Sequence, residues 1–140
     1  MSDSITLYLV EDDGFLLDMY SQRFSMSGYQ VVAKSNPKEA LEQLRSGNRP
    51  EIIVTDLVMP GIDGFQFLES VRAEQLAPEA VIVVLSNLGE EEDIERAVKL
   101  GALGYIVKAT STPSEVVARV SQIYKEAQAR KVSGNATVTQ

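Results

Sequence analysis

Short apolar runs rich in Val, Ile and Leu alternate along the chain with segments whose apolar residues recur at helical spacing. The runs fall at residues 5–10, 29–33, 52–55, 81–85 and 105–107, and each has the composition of a strand. The first helical segment carries Leu16, Leu17, Tyr20 and Phe24, and the second Ala40, Leu41 and Leu44 between "NPKEA" and "SGN". A third follows Gly64 with Phe65, Leu68 and Val71; a fourth holds Ile94, Ala97 and Val98 and closes at Gly101. The fifth holds Val116, Val117, Val120, Ile123 and Ala127 behind "STPSE", where Pro113 or Ser114 starts the helix. Strands alternating with helices predict an α/β fold: a doubly wound, five-stranded parallel sheet with five helices covering both faces. The strands read as nearly continuous apolar runs because neither face meets water. Residues 1–127 form the predicted domain, and the polar stretch 128–140 reads as a tail or the start of a linker.

Composition narrows the chemistry. The 140 residues include no cysteine and no histidine, which removes disulfides, thiolate or imidazole metal sites and a Ser-His triad. A net charge of −7 with no basic face argues against direct nucleic-acid binding. The longest apolar run, "AVIVVL", is far short of a membrane span, and the N-terminus lacks a basic segment followed by a long apolar core. The expectation is a soluble, cytoplasmic protein.

In a parallel sheet of this kind, ligands bind beyond the carboxyl ends of the strands. There the first strand delivers Glu11 and Asp12, the third Asp56, the fourth Ser86 and the fifth Lys108. Taken singly, each has an ordinary explanation: acids after strands cap helices, as Asp13 is placed to do, and a lone lysine is usually solvated. The combination is less ordinary. Adjacent strands lie roughly 4.8 Å apart. Two carboxylates about 5 Å apart repel by roughly 3 kcal/mol at an effective dielectric of about 20. A cation compensates, and oxygen donors without His or Cys favour a hard ion such as Mg²⁺. A carboxylate can also accept a phosphoryl group, whose charge needs cations and donors in place beforehand; Lys108 and Ser86 are such groups.

The segments "LVEDD", "VTDLVMPGIDGF", "VVLSN" and "GYIVKA", at their mutual spacing, make the chain resemble the receiver domain of two-component response regulators from residue 5 to about residue 127. The resemblance implies a flavodoxin-like strand order 2-1-3-4-5. It implies that Asp56 accepts a phosphoryl group from a sensor histidine kinase or phosphotransfer protein. Asp12, Asp56 and the Val58 carbonyl would hold Mg²⁺, with Glu11 acting through water. Lys108 would pair with Asp56 and then with the phosphoryl oxygens, while Ser86 and Tyr105 would form the switch. A surface of the fourth helix, fifth strand and fifth helix would engage an output protein or an effector domain that lies outside this chain. On this reading the chain is a signalling switch and not an enzyme, although it assists its own phosphorylation and dephosphorylation.

The sequence departs from the family pattern at several places. Ala109 stands where a proline with a cis bond often follows the lysine; a cis bond before a non-proline residue costs roughly 3 kcal/mol. Asn87 replaces a small residue after Ser86. Val58 and Leu88 are apolar and cannot orient an attacking water, so slow self-dephosphorylation is expected. "GALGY" lacks the two acids of the dimerising, DNA-binding members, so the unphosphorylated chain is expected to be a monomer. Other readings are a degenerate receiver that binds without being phosphorylated, an Mg²⁺-dependent aspartyl phosphatase, and a flavin or nucleotide module. Val58 in place of a second acid disfavours the phosphatase. The acidic loop after the first strand, which would repel a phosphate, disfavours the nucleotide module.

Overall fold

The computed structural model describes residues 4–137. The strands are β1 (Thr6–Val10), β2 (Gln30–Lys34), β3 (Ile52–Thr55), β4 (Val81–Ser86) and β5 (Ala102–Val107). Between and after them run α1 (Gly14–Met26), α2 (Pro37–Arg45), α3 (Gly64–Ala73), α4 (Glu91–Lys99) and α5 (Pro113–Thr137), with one 3-10 turn at Lys108–Thr110. All strand pairs are parallel and the order is β2-β1-β3-β4-β5, as predicted.

Side chains alternate across the sheet and build two cores. Tyr8, Val10, Ile53 and Val84 face Leu41, Leu44, Phe67 and Leu68 of α2 and α3. Leu7, Leu9, Val54 and Val83 face Tyr20, Phe24, Val116 and Val120 of α1 and α5. The central strands β3 and β4 are buried along their whole length, whereas edge strand β2 is partly exposed. Helix starts are locally encoded. Asp13 accepts from the Leu16 amide, Asn36 from Glu39, and Asp63 and Gln66 form a reciprocal capping box. Thr112 and Glu115 do the same at the start of α5. No helix among the described residues is long and apolar enough to cross a membrane.

Two elements run beyond their predicted ends. β5 begins at Ala102, where a register irregularity lies opposite Ile82 and Val83. The apolar pattern does not mark its first residues because Leu103 is exposed to solvent and Gly104 has no side chain. That glycine has a packing reason: a Cβ there would run into the Ile123 side chain of α5. α5 continues past residue 127 to Thr137, so its backbone is helical through most of the stretch read as a tail. Apolar periodicity stops at Ala127, and Ala129, Arg130 and Lys131 are exposed, but Gln128, Ala129, Arg130 and Lys131 are good helix formers. Lys131 also pairs with Glu79 at 2.7 Å.

The Tyr8 hydroxyl is buried without a hydrogen-bond partner among the described residues. Leaving a buried hydroxyl unpaired costs about 1–3 kcal/mol. Tyr8→Phe is therefore expected to raise stability by about 1 kcal/mol, read from the urea midpoint by far-UV circular dichroism. A clear loss of stability would show that the hydroxyl has a partner.

Candidate functional site

β1 and β3 are neighbours, with Val10 opposite Thr55, so the residues that follow them meet at the carboxyl edge. The backbone continues this pairing for one more step: the Asp56 amide donates to the Val10 carbonyl, and the Glu11 amide to the Lys34 carbonyl. Glu11, Asp56 and Ser86 are buried, while Asp12 is exposed. Glu11, Asp12 and Asp56 each offer a carboxylate oxygen, and these atoms lie within 4.8 Å of one another.

Each buried acid divides its two oxygens between backbone and cation. Asp56 Oδ1 accepts from the amides of Leu57 at 2.6 Å and Val58 at 3.3 Å. Asp56 Oδ2 accepts from Lys108 Nζ at 2.7 Å. Glu11 Oε2 accepts from the Asp13 amide at 3.1 Å, and Oε1 from Lys108 Nζ at 2.5 Å. Lys108 thus bridges the two acids. The Asp12 carboxylate makes no hydrogen bond or ion pair among the described residues, and Asp13 serves α1 as its cap. Three carboxylates against one ammonium leave surplus negative charge. Burial pushes the Glu11 carboxyl above its ordinary range, and the nearby Lys108 only partly offsets this. For Lys108, burial works against the charged form, but the hydrogen bonds to Asp56 and Glu11 outweigh it and hold the ammonium above its ordinary value.

The Asp56 loop is fixed from three sides. The Thr55 hydroxyl donates to the Asp56 carbonyl at 2.9 Å, and the Gly64 amide donates to Leu57 at 2.9 Å. Gly64 itself presses so closely that a Cβ would collide with the Asp56 carbonyl oxygen and lie 2.5 Å from Leu57 Cα. Val58 is 57% exposed beside the cluster.

Ser86 ends β4 next to β3, and its Oγ accepts from the Leu88 amide at 3.2 Å. The Tyr105 hydroxyl donates to the Leu88 carbonyl at 2.6 Å. Both expected switch residues therefore hold the same backbone unit, a link that the sequence did not reveal. Burial, with the charges of Asp93 and Asp56, pushes the Tyr105 hydroxyl up to about 12, so it remains a donor at neutral pH. The Lys108–Ala109 bond is trans, as are all peptide bonds among the described residues. In place of a cis-proline turn, Lys108–Thr110 forms a 3-10 turn closed by the Ser111 amide on the Lys108 carbonyl. Asn87 is exposed at the mouth.

The donor set fits a hard divalent cation: carboxylate oxygens gathered at one point, with no nitrogen or sulfur ligand nearby. The same edge joins a buried carboxylate to an ammonium and a hydroxyl, the groups that acceptance of a phosphoryl group requires.

A family model described as the response regulator receiver domain matches residues 7–121. The phosphate regulon transcriptional regulatory protein PhoB of Escherichia coli is 32% identical over 119 residues, covering 85% of this chain and 51% of PhoB. A protein of Guillardia theta, described as a probable transcriptional regulator ycf27, is 30% identical over 131 residues, covering 94% of this chain and 50% of the relative. The chain thus spans about half the length of these curated relatives. Among solved structures, the receiver domain of Francisella response regulator 1452 is 25% identical with a TM-score of 0.78, covering 89% of this chain and 99% of that one. The chemotaxis protein CheY4 of Vibrio cholerae shares the fold at 23% identity and a TM-score of 0.78, covering 86% of this chain and 98% of that one.

Proposed function

The chain belongs to the response regulator receiver domain family, and from that membership we propose that it is a phosphorylation-controlled switch whose acceptor is Asp56. One observation carries this reading. Asp56 is buried at the sheet edge with one oxygen on two loop amides and the other on Lys108, inside a three-carboxylate cluster.

Glu11, Asp12 and Asp56, with the Val58 carbonyl, are the residues that would hold Mg²⁺. When bound, the ion neutralises their charge and that of the incoming phosphoryl oxygens. A carboxylate oxygen of Asp56 attacks phosphorus as the bond between phosphorus and the donor's imidazole nitrogen breaks. The product is an aspartyl phosphate, and the imidazole keeps the bonding electron pair. The loop amides and Thr55 hold the attacking carboxylate in position. Lys108 follows the charge from Asp56 onto the phosphoryl oxygens. Ser86 Oγ exchanges the Leu88 amide for a phosphoryl oxygen, which frees Leu88 and with it the carbonyl anchoring Tyr105. The donor is a phosphohistidine on a sensor kinase or phosphotransfer protein. The output partner meets α4, β5 and α5, where Val98 and Leu103 are 56% and 52% exposed.

The direct test is intact mass after incubation with acetyl phosphate. One phosphoryl group is expected in the presence of Mg²⁺, with none without the ion and none on Asp56→Asn. Addition to Asp56→Asn equal to that on the unaltered chain would overturn the assignment. A second expectation concerns lifetime. Val58 and Leu88 carry no polar side-chain atom to orient water, so phosphoryl loss after removal of the donor should be slow. Rapid loss in the isolated chain would contradict this.

A further inference from the structure

α4 is the least anchored helix of the fold. Ala97 is its only buried residue, and its N-cap, Glu90, makes no side-chain cap. Most helical stability comes from packing of a buried face, which α4 nearly lacks. Beside the seat of Ala97 in the core, its position then depends on a few specific contacts near its two ends.

At the N-terminal end, the preceding loop hangs on Leu88, held by Ser86 Oγ and the Tyr105 hydroxyl. At the C-terminal end, two arginines tie it to α3. Arg72 of α3 donates to the Lys99 carbonyl at 2.5 Å, satisfying one of the carbonyls that the helix end leaves open. Arg96 of α4 lies over the Phe65 ring of α3, 4.1 Å from its centroid, and reaches Glu69 at 3.5 Å. Phe65, Glu69 and Arg72 are spaced to share one face of α3, the face turned to α4. Phe65 also directly follows Gly64, the residue pressed against the Asp56 carbonyl. The clasp therefore joins α4 to the backbone around the acceptor by a path separate from Ser86 and Tyr105.

We propose that the Arg72 and Arg96 clasp holds α4 in the unphosphorylated arrangement and so sets the threshold at which phosphorylation switches the protein. This rests on the reading of Asp56 as acceptor and adds the counterweight against which it acts. Loss of the Ser86–Leu88 bond releases only the N-terminal anchor; the clasp then opposes movement of the helix. A contact made only in the unphosphorylated state lowers affinity for anything that favours the other state, by reciprocal linkage. Both arginines are exposed, so each contributes little alone.

The test uses beryllofluoride with Mg²⁺, a mimic of the aspartyl phosphate, titrated into the full chain and followed by fluorine NMR. Removing both arginines (Arg72→Met with Arg96→Met) is expected to tighten binding by about five- to tenfold. It should also speed amide hydrogen exchange across Glu91–Lys99 in the free protein. Arg45→Met, which breaks an exposed ion pair with Glu74 away from α4, should change neither. Unchanged binding by the double variant would show that the clasp is uncoupled from the site. Weaker binding would place the clasp in the phosphorylated arrangement instead. Either result overturns the proposal while leaving the acceptor assignment standing. Failure of the unaltered chain to bind the mimic would overturn both.

Discussion

Lys108→Met is expected to bind Mg²⁺ at least about tenfold more tightly than the unaltered chain, and to take up a phosphoryl group about 10²-fold more slowly. The two effects have one cause. Lys108 Nζ bonds one oxygen of each of two carboxylates in the cluster that would hold a metal, Glu11 Oε1 at 2.5 Å and Asp56 Oδ2 at 2.7 Å. An entering cation would share those carboxylates with the ammonium and meet its repulsion. At about 5 Å and an effective dielectric of about 20, each pair of unit charges is worth roughly 3 kcal/mol, and solvent and movement of the lysine reduce the realised gain. The proposed phosphoryl transfer has the opposite requirement, because there the ammonium would stabilise charge building on the transferred group. Breaking a buried pair by removing one partner also destabilises by about 3–5 kcal/mol. The variant should therefore melt early without Mg²⁺ and regain more of its melting temperature on adding the ion than the unaltered chain does. Calorimetric titration and thermal melts at stepped Mg²⁺ read both effects. Metal affinity that is unchanged or weaker would mean that Lys108 does not compete for the site.

Gly64→Ala is expected to cost about 2–4 kcal/mol of stability and to impair phosphoryl uptake. This is far more than a methyl group on a helix usually costs. The added Cβ meets backbone, the Asp56 carbonyl and Leu57 Cα, and not the yielding end of a side chain. The β3–α3 loop must open, and the loop amides on Asp56 Oδ1 and the Gly64–Leu57 bond shift together. Gly14→Ala is the control. It too sits at the first position of a helix, but a Cβ there meets nothing within 4 Å. Urea midpoints and uptake from acetyl phosphate should separate the two variants clearly. Equal behaviour would show that the close approach at Gly64 carries no energetic weight.

The central strands were readable because burial on both faces leaves an unbroken apolar run, as in Val81 to Leu85. Edge strand β5 was only half readable, since Leu103 faces solvent and Gly104 is defined by what it leaves open for Ile123. A periodic apolar pattern marks only the part of a helix that packs on the core, so α5 outran its predicted limit. The convergence of these side chains was legible because the parallel topology sends strand ends to one edge; Asp56 and Lys108 meet there although 52 positions apart. Their partnerships were not legible. The bond between Lys108 and Glu11, the shared hold of Ser86 and Tyr105 on Leu88, and the stacking of Arg96 on Phe65 depend on tertiary proximity. The trans bond before Ala109 answers the missing proline: the chain closes that loop with a 3-10 turn.

The identity of the phosphorylated atom group bears most directly on this account. Borohydride reduces an acyl phosphate to an alcohol, so an aspartyl phosphate is trapped as homoserine and located by peptide mass spectrometry. After incubation with acetyl phosphate and Mg²⁺, homoserine is predicted at position 56 and nowhere else, and it should vanish when the ion is withheld. Homoserine at position 12 or at another acid, with Asp56 intact, would contradict the account.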